Sequence, residues 1–345
     1  MTETRKRGDP FDGLSGLLAA WIAIESWRMA MTGEGGAPPT LAVDAVLIIA
    51  GLMTARAARS GLFDWSDLPR FLFWRSLRVA PAIFAGAALF LVVETALSDN
   101  GAPGDGGFVA ANGQASILFA ILLGSLVFGV AAAAGALRGA IGRAGLAALI
   151  AACMAARATP EAGLGPAGGE AARFAAAFAL GAFLDSLNAS GRVARSLRRL
   201  KLNNGTEAEA GALILMIAVI ALSPPSVSIF APVFVAGSFA IFLRKRDRVT
   251  EDVLTNGAVR KLGEWSMPLI SGCFLLTWPM KEAVRAGLIE SPDVAVILLA
   301  PAYLLAVIGL AGAFRRLVED PARDFAGRCA DEIALVRESI ASERR

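Results

Sequence analysis

The sequence predicts an all-α fold, a polytopic membrane bundle of about ten transmembrane helices with both termini in the cytoplasm. Hydrophobic residues make up 56% of the 345 positions and charged residues 18%, whereas an average globular domain carries about 25% charged residues. The mean hydropathy is +0.59. Apolar runs of the length that crosses a bilayer, about 18 residues or more, recur along the chain. These observations favour a membrane protein over soluble domains.

The predicted spans follow the apolar runs and end at polar or turn-forming residues. In chain order they cover residues 13–31, 40–57, 77–97, 115–137, 140–157, 172–189, 209–223, 226–244, 265–283 and 293–314. The chain accordingly divides into a cytoplasmic N-terminus (residues 1–12), a transmembrane domain (13–315) and a cytoplasmic tail forming a short helix (316–345). The turn-rich stretches 98–114 and 160–169 are predicted to be linkers.

The positions of lysine and arginine predict the orientation of the spans. The connections 32–39, 98–114, 158–171 and 223–226 contain neither residue, whereas the N-terminus and the intervening connections are rich in arginine. Positive charge stays on the cytoplasmic side of short loops. The net charge of +3 is therefore expected to set topology and to contact anionic lipid headgroups, and no nucleic-acid partner is predicted.

The N-terminus and the reactive residues exclude several classes of protein. No small-residue cleavage site follows the basic start, so a secretory signal is not predicted. The three cysteines have no pairing pattern, and neither disulfides nor a thiolate metal site is expected. The chain has no histidine, which removes the commonest metal ligand and general base. No metal and no bound cofactor is predicted.

Ionisable residues inside the first two spans mark a candidate membrane-embedded site, because charge is costly there and usually functional. Glu25 and Arg28 are three residues apart and can pair on one helix face. Such a pair is either a structural ion pair near the interface or the polar end of a substrate pocket. Asp44 either lines the same pocket or is a carboxylate favoured by the N-terminal dipole of its helix.

Arg75 and Arg78 also share one helix face, on the predicted cytoplasmic side. Two guanidinium groups presented together suit a phosphate or diphosphate, which they bind through bidentate hydrogen bonds. The alternative is that they only set topology, because arginines are common at cytoplasmic helix ends.

Several motifs, taken in order, resemble the acyltransferase-3 family of integral-membrane O-acyltransferases, which modify cell-envelope polysaccharides, lipopolysaccharide and peptidoglycan. The resemblance rests on Asp12–Leu17, Val43–Leu52, Arg75–Arg78 with Pro81, Leu262–Gly263 with Pro279, and Glu319–Arg323. A mid-chain Phe178-Ala179-Leu180-Gly181 segment is also similar, and the likeness covers about residues 11–325. The chain departs from the family pattern at three positions. Ser15 replaces an arginine, and Ser26 and Thr277 replace two histidines.

The resemblance implies transfer of an acyl group, such as acetyl, to a hydroxyl of an envelope glycan or glycolipid. Acyl-CoA would be the cytoplasmic co-substrate, and the protein would be a multi-pass protein of the bacterial inner membrane. The implied catalytic positions are Glu25, Ser26 and Asp44, the implied donor-binding positions are Arg75 and Arg78, and the other matched positions are Asp12, Thr277 and Glu319.

The missing histidines leave two functional alternatives open. An active enzyme needs another base, for which Glu25 in apolar surroundings is one candidate, or an activated nucleophile at Ser26. A catalytically silent relative would instead bind, export or help to process an envelope glycan. Joint loss of the arginine and both histidines fits this second hypothesis. An unrelated secondary transporter would have inverted repeats with broken helices, and the sequence contains none.

Overall fold

A computed structural model describes most of the chain. It covers residues 10–32, 40–59, 68–69, 71–73, 76, 88, 92, 105–137, 139–158, 165–199, 205–222, 230–243, 249–285, 287, 289, 292–322, 324–325 and 328. These residues are 94% helical and include no strand, which confirms the all-α prediction for this part of the chain.

Twelve α-helices have their bounds within the described residues. In chain order they are α1 (Pro10–Thr32), α2 (Thr40–Arg59), α3 (Asp105–Ala133), α4 (Gly139–Ala158), α5 (Gly165–Ala189), α6 (Arg192–Arg199), α7 (Gly205–Leu222), α8 (Ala231–Phe242), α9 (Val249–Leu254), α10 (Gly257–Glu264), α11 (Ser266–Arg285) and α12 (Pro292–Phe314). A π-helical turn, Arg315–Glu319, continues α12. The predicted span 77–97 lies outside the described residues apart from two isolated helical positions, 88 and 92.

Both linker predictions were wrong in part. The stretches read as linkers are partly helical, because α3 already begins at Asp105 and α5 at Gly165. Both helices start in glycine-rich sequence, where a helix N-terminus is difficult to predict. The predicted domain boundary at residue 315 falls inside a continuous helix that runs from Pro292 to Ala322. The charged residues there continue the helix as a π-helical turn instead of ending it.

Two described helices are long and apolar enough to cross a membrane by length and composition. They are Gly139–Ala158 and Ile297–Ala322, and only 17% and 22% of their apolar windows are buried inside the protein. A core helix of a soluble protein would be mostly buried, so these helices indicate membrane association. Among the described residues, the helices at the other predicted spans do not meet that criterion. Helix α1, for example, carries Asp12, Glu25 and Arg28.

Large apolar side chains on the outside of the bundle also indicate membrane association. Helix α3 exposes Phe119, Leu123 and Val127, which are spaced four residues apart and so form a stripe on one face. Helices α7 and α12 also expose large aliphatic side chains, namely Ile214, Leu215, Ile217, Ile297, Leu298 and Leu305. Contiguous exposed apolar surface of this kind is rare on soluble monomers and marks contact with a partner or a membrane.

Helix α2 lies at the centre of the bundle. Every residue from Leu41 to Leu52 is buried, as expected for a helix surrounded by other helices. Helix α1 runs antiparallel to it, since the guanidinium of Arg56 near the end of α2 lies 5.7 Å from the ring centroid of Phe11 at the start of α1. Asp44, the charged residue of this buried stretch, therefore lies in the interior of the bundle.

Helices α2 and α5 run parallel. Asp44 near the start of α2 pairs with Arg173 in the first half of α5, and Arg59 at the end of α2 pairs with Asp185 near the end of α5. Between these pairs the backbones touch. A Cβ atom on Gly51 would collide with the backbone of Phe178, and one on Gly181 with the backbone of Ile48. Small residues at helix crossings permit this close approach.

Candidate functional site

The first and the late family-like motifs lie against each other. A Cβ atom added to Gly16 would collide with the backbone of Leu262 and Gly263, and one added to Gly263 with the backbone of Asp12. Glycine is the one residue that permits this contact between α1 and α10. The hydroxyl of Ser15, at the position of the family's arginine, donates a hydrogen bond to the carbonyl oxygen of Asp12 at 2.8 Å.

The second motif similarly contacts the mid-chain Phe178–Gly181 segment through the α2–α5 crossing described above. These motif pairs are separated by more than a hundred residues in sequence. Each depends on a glycine at the point of contact.

Asp44 forms a buried ion pair. Its Oδ1 accepts a hydrogen bond from Nε of Arg173 at 2.9 Å, and the two side chains are only 1% and 7% exposed. The Arg173 guanidinium also lies 5.0 Å from the ring centroid of Phe174. The carboxylate of Asp44 is thus paired between two helices. It is a charge neutralised across a helix–helix contact, where ion pairs are costly to form and costly to break.

Two further polar groups belong to the Asp44 cluster. Oδ2 of Asp44 is buried and has no hydrogen-bond partner among the described residues. Arg157, in the last turn of α4, lies close enough to Asp44 and Arg173 to interact electrostatically with both. The site therefore contains two arginines and one carboxylate, and one carboxylate oxygen is able to accept a proton or a hydrogen bond.

Glu25 forms a local ion pair. Its Oε1 accepts hydrogen bonds from Nε and Nη2 of Arg28, at 2.9 and 2.7 Å. The side chains of Glu25 and Arg28 are 27% and 43% exposed, so this ion pair lies nearer the outside of the bundle than Asp44 does. The neighbouring Ser26 is buried.

An aromatic bridge connects the two positions where the family carries histidine. The ring of Trp27, next to Ser26, stacks on Tyr303 with centroids 4.6 Å apart. The hydroxyl groups of Tyr303 and Thr277 are hydrogen-bonded at 2.9 Å, and the Thr277 hydroxyl also donates to the carbonyl oxygen of Cys273. The fold thus brings the Ser26 region of α1 to Thr277 of α11 through one intervening side chain on α12.

The candidate residues fall at two ends of the bundle. Ser26 and Asp44 lie at the end where α1 finishes and α2 begins. Asp12 and Glu319 lie at the opposite end. There Glu264 forms an ion pair with Arg315, with Oε2 and Nη2 2.8 Å apart. Glu319 is buried in the π-helical turn. Arg75 and Arg78, the predicted donor-binding pair, lie outside the described residues.

Sequence reasoning missed Arg173, Arg157, Asp185 and Tyr303. The available signal was an arginine and an aspartate inside the alanine-rich apolar run 172–189, because intramembrane charges are functional candidates by default. Among the described residues, no group of three metal-ligating side chains is close enough to hold a metal ion.

The amino-acid sequence and the fold were compared with protein-family models, with curated proteins and with solved structures. No match was found in any of the three comparisons.

Proposed function

We propose that this chain is a multi-pass inner-membrane protein of the acyltransferase-3 type, which transfers an acyl group from cytoplasmic acyl-CoA to a hydroxyl of a cell-envelope glycan or glycolipid. The observation that carries the proposal is the mutual packing of the motifs behind the resemblance. Segments around Gly16 and Gly263, and around Gly51 and Gly181, touch through glycines. In the proposed protein these contacts assemble the site from distant parts of the sequence.

The orientation of the helices supports a membrane topology with ten spans. The predicted spans 40–57 and 172–189 both run toward the cytoplasm, and parallel packing of α2 and α5 is what that orientation requires. The exposed apolar stripe on α3 and the apolar faces of α7 and α12 would contact lipid. The polar end that contains Asp44 would then face away from the cytoplasm, where an envelope acceptor is available.

Reporter fusions test this topology. Reporters inserted at residues 35 and 162 should give extracytoplasmic signals, and reporters at residues 190 and 246 cytoplasmic signals, because arginine-poor connections are translocated and arginine-rich ones are retained. A periplasm-active alkaline phosphatase and a cytoplasm-active fluorescent protein at each position provide matched controls. A cytoplasmic signal at either residue 35 or residue 162 contradicts the ten-span arrangement.

Within the proposed reaction, Asp44 is the best placed general base. One of its oxygens is held by Arg173, which fixes the orientation of the carboxylate, while Oδ2 has no described hydrogen-bond partner. The thioester of acyl-CoA would have to reach from the cytoplasmic face through the bundle to the Asp44 end. There the acceptor hydroxyl would give its proton to Oδ2 while its oxygen attacks the thioester carbonyl, and the CoA thiolate would leave toward the cytoplasm. Glu25 is less suited to this role, because its pair with Arg28 lies on one helix and is partly exposed, whereas Asp44 is buried between two helices.

An acylation assay tests the assignment. Envelope glycan from cells with and without the gene should differ in O-acyl content by mass spectrometry. Asp44→Asn should reduce transfer by about 100-fold or more, the contribution of a general base, whereas Glu25→Gln should retain most of it. Equal activity of wild type and Asp44→Asn would remove Asp44 from the chemistry.

A catalytically silent relative is the second candidate, and a specific observation favours it. Thr277 stands where the family has a histidine, and its hydroxyl is already bonded to Tyr303 and to a backbone carbonyl. An unchanged glycan in cells lacking the gene, together with direct glycan binding by the purified protein, would support this candidate over the enzyme.

A further inference from the structure

Asp44 and Arg157 both have hydrogen-bonding groups that the described residues leave unused. These groups determine which kind of ligand the two side chains can bind. Oδ1 of Asp44 is occupied by Arg173, but Oδ2 is buried and without a hydrogen-bond partner among the described residues. A buried acceptor left unsatisfied costs the full desolvation free energy of that group. A hydrogen-bond donor at Oδ2 removes that penalty.

Arg157 supplies the complementary half. It interacts electrostatically with Asp44 and Arg173, yet it forms no hydrogen bond or ion pair with any described residue. Its guanidinium presents only donors. Arg157 is therefore a donor group within electrostatic range of Asp44, and no hydrogen bond joins the two side chains.

The opposite end of the same helix pair provides a contrast. There Arg59 lies 2.8 Å and Arg56 3.9 Å from Oδ1 of Asp185, so both arginines of that cluster pair directly with their carboxylate. At Asp44 one arginine pairs directly and the other remains at a distance. The spacing of Arg157 is therefore not a general property of arginine–aspartate clusters in this fold.

The charges at Asp44 discriminate between possible ligands. A cation would meet two arginines, and an anion facing Oδ2 would meet the carboxylate of Asp44. A neutral hydroxyl donates one hydrogen bond and accepts others, so it is able to donate to Asp44 and accept from Arg157 at once.

We infer that Asp44 Oδ2 and the guanidinium of Arg157 bind one hydroxyl of a neutral sugar between them. This inference rests on the proposed function, since it identifies how the glycan acceptor is held. Access would run past Arg157, which is half-buried in the last turn of α4, toward Asp44, which is 1% exposed. Arg157 is a binding residue for the acceptor, and Arg173 positions the carboxylate.

Binding of N-acetylglucosamine to the full-length protein in lipid nanodiscs tests the inference without any acyl donor. Saturation-transfer-difference NMR gives the Kd for wild type, Arg157→Gln, Asp44→Asn and the control Arg143→Gln at the other end of α4. Arg157→Gln should raise the Kd about tenfold, the loss expected for a hydrogen bond to a charged group. Arg143→Gln should leave the Kd unchanged.

Asp44→Asn is the sharper variant, because it keeps the shape of the side chain and a carbonyl oxygen for Arg173 while an NH₂ donor replaces Oδ2. The sugar hydroxyl then has nothing to donate to, and binding should fall at least tenfold. If this variant does not fold, Arg157→Gln alone decides the question, since its side chain lies near the end of a peripheral helix.

Three outcomes would overturn the inference. They are no binding of N-acetylglucosamine to wild type, equal binding by wild type and Arg157→Gln, and binding of inorganic phosphate that competes with the sugar and survives Asp44→Asn. The last would identify an anion site on the arginines. Sugar binding without acyl transfer would support this site and contradict the proposed enzyme. Acyl transfer that is unchanged in Arg157→Gln would support the enzyme and contradict this site.

Discussion

Asp44→Ala is expected to destabilise the protein by about 3–5 kcal/mol, the usual cost of removing one partner from a buried ion pair. The change leaves the guanidinium of Arg173, which is 7% exposed, without its carboxylate. Thermal unfolding of the purified protein in detergent, followed by circular dichroism, should show a large drop in Tm. Glu25→Ala is the matched control. It breaks a half-exposed pair, for which about 1 kcal/mol or less is expected.

The double variant Asp44→Leu with Arg173→Met distinguishes the net stabilisation by the ion pair from the cost of leaving one buried charge unpaired. Apolar replacement of both members of a buried pair is often neutral or stabilising. The Tm of the double variant should therefore lie well above that of Asp44→Ala. A double variant as unstable as the single one would mean that Asp44 stabilises the fold through contacts other than Arg173.

Gly181→Ala is expected to lower the Tm strongly, because the added Cβ atom would collide with the backbone carbonyl of Ile48. Overpacking typically costs about 1–3 kcal/mol, and a backbone atom cannot move aside as a side chain can. Gly169→Ala on the same helix is the control. Nothing lies within 4 Å of its Cβ position, so the higher helix propensity of alanine should stabilise the protein by up to about 1 kcal/mol.

The opposite signs of the two glycine variants make this test specific to the helix crossing. If both substitutions change the Tm in the same direction and by the same amount, helix propensity dominates. The close packing of α2 against α5 would then not be the feature that fixes the fold.

The sequence predicts the helices better than their ends. The apolar runs at 13–31, 40–57 and 293–314 correspond closely to α1, α2 and α12, because twenty apolar residues have few alternatives to a helix. Helix ends in this chain fall in glycine-rich or charged sequence, where local propensity is weak. The start of α5 at Gly165 and the π-helical continuation of α12 are examples.

The site was only half predictable for a related reason. Asp44 and the Glu25–Arg28 pair stand out because a charge inside an apolar run is costly, and the spacing of Glu25 and Arg28 gives their contact directly. The partner of Asp44 is 129 residues away, and no local pattern encodes that distance. The bridge from Trp27 through Tyr303 to Thr277 similarly joins three helices that only the fold brings together.

The charges on α2 and α5 are arranged in opposite senses along the two helices. Helix α2 carries its acid first and its bases last, while α5 carries its base first and its acid last. Sliding one helix along the other by a turn would separate both ion pairs at once, and the glycine contacts between them would turn into steric collisions. The packing of α2 against α5 therefore opposes sliding of one helix along the other. A rearrangement of the bundle is therefore expected along another helix boundary, such as the one between α4 and α5 or between α1 and α12.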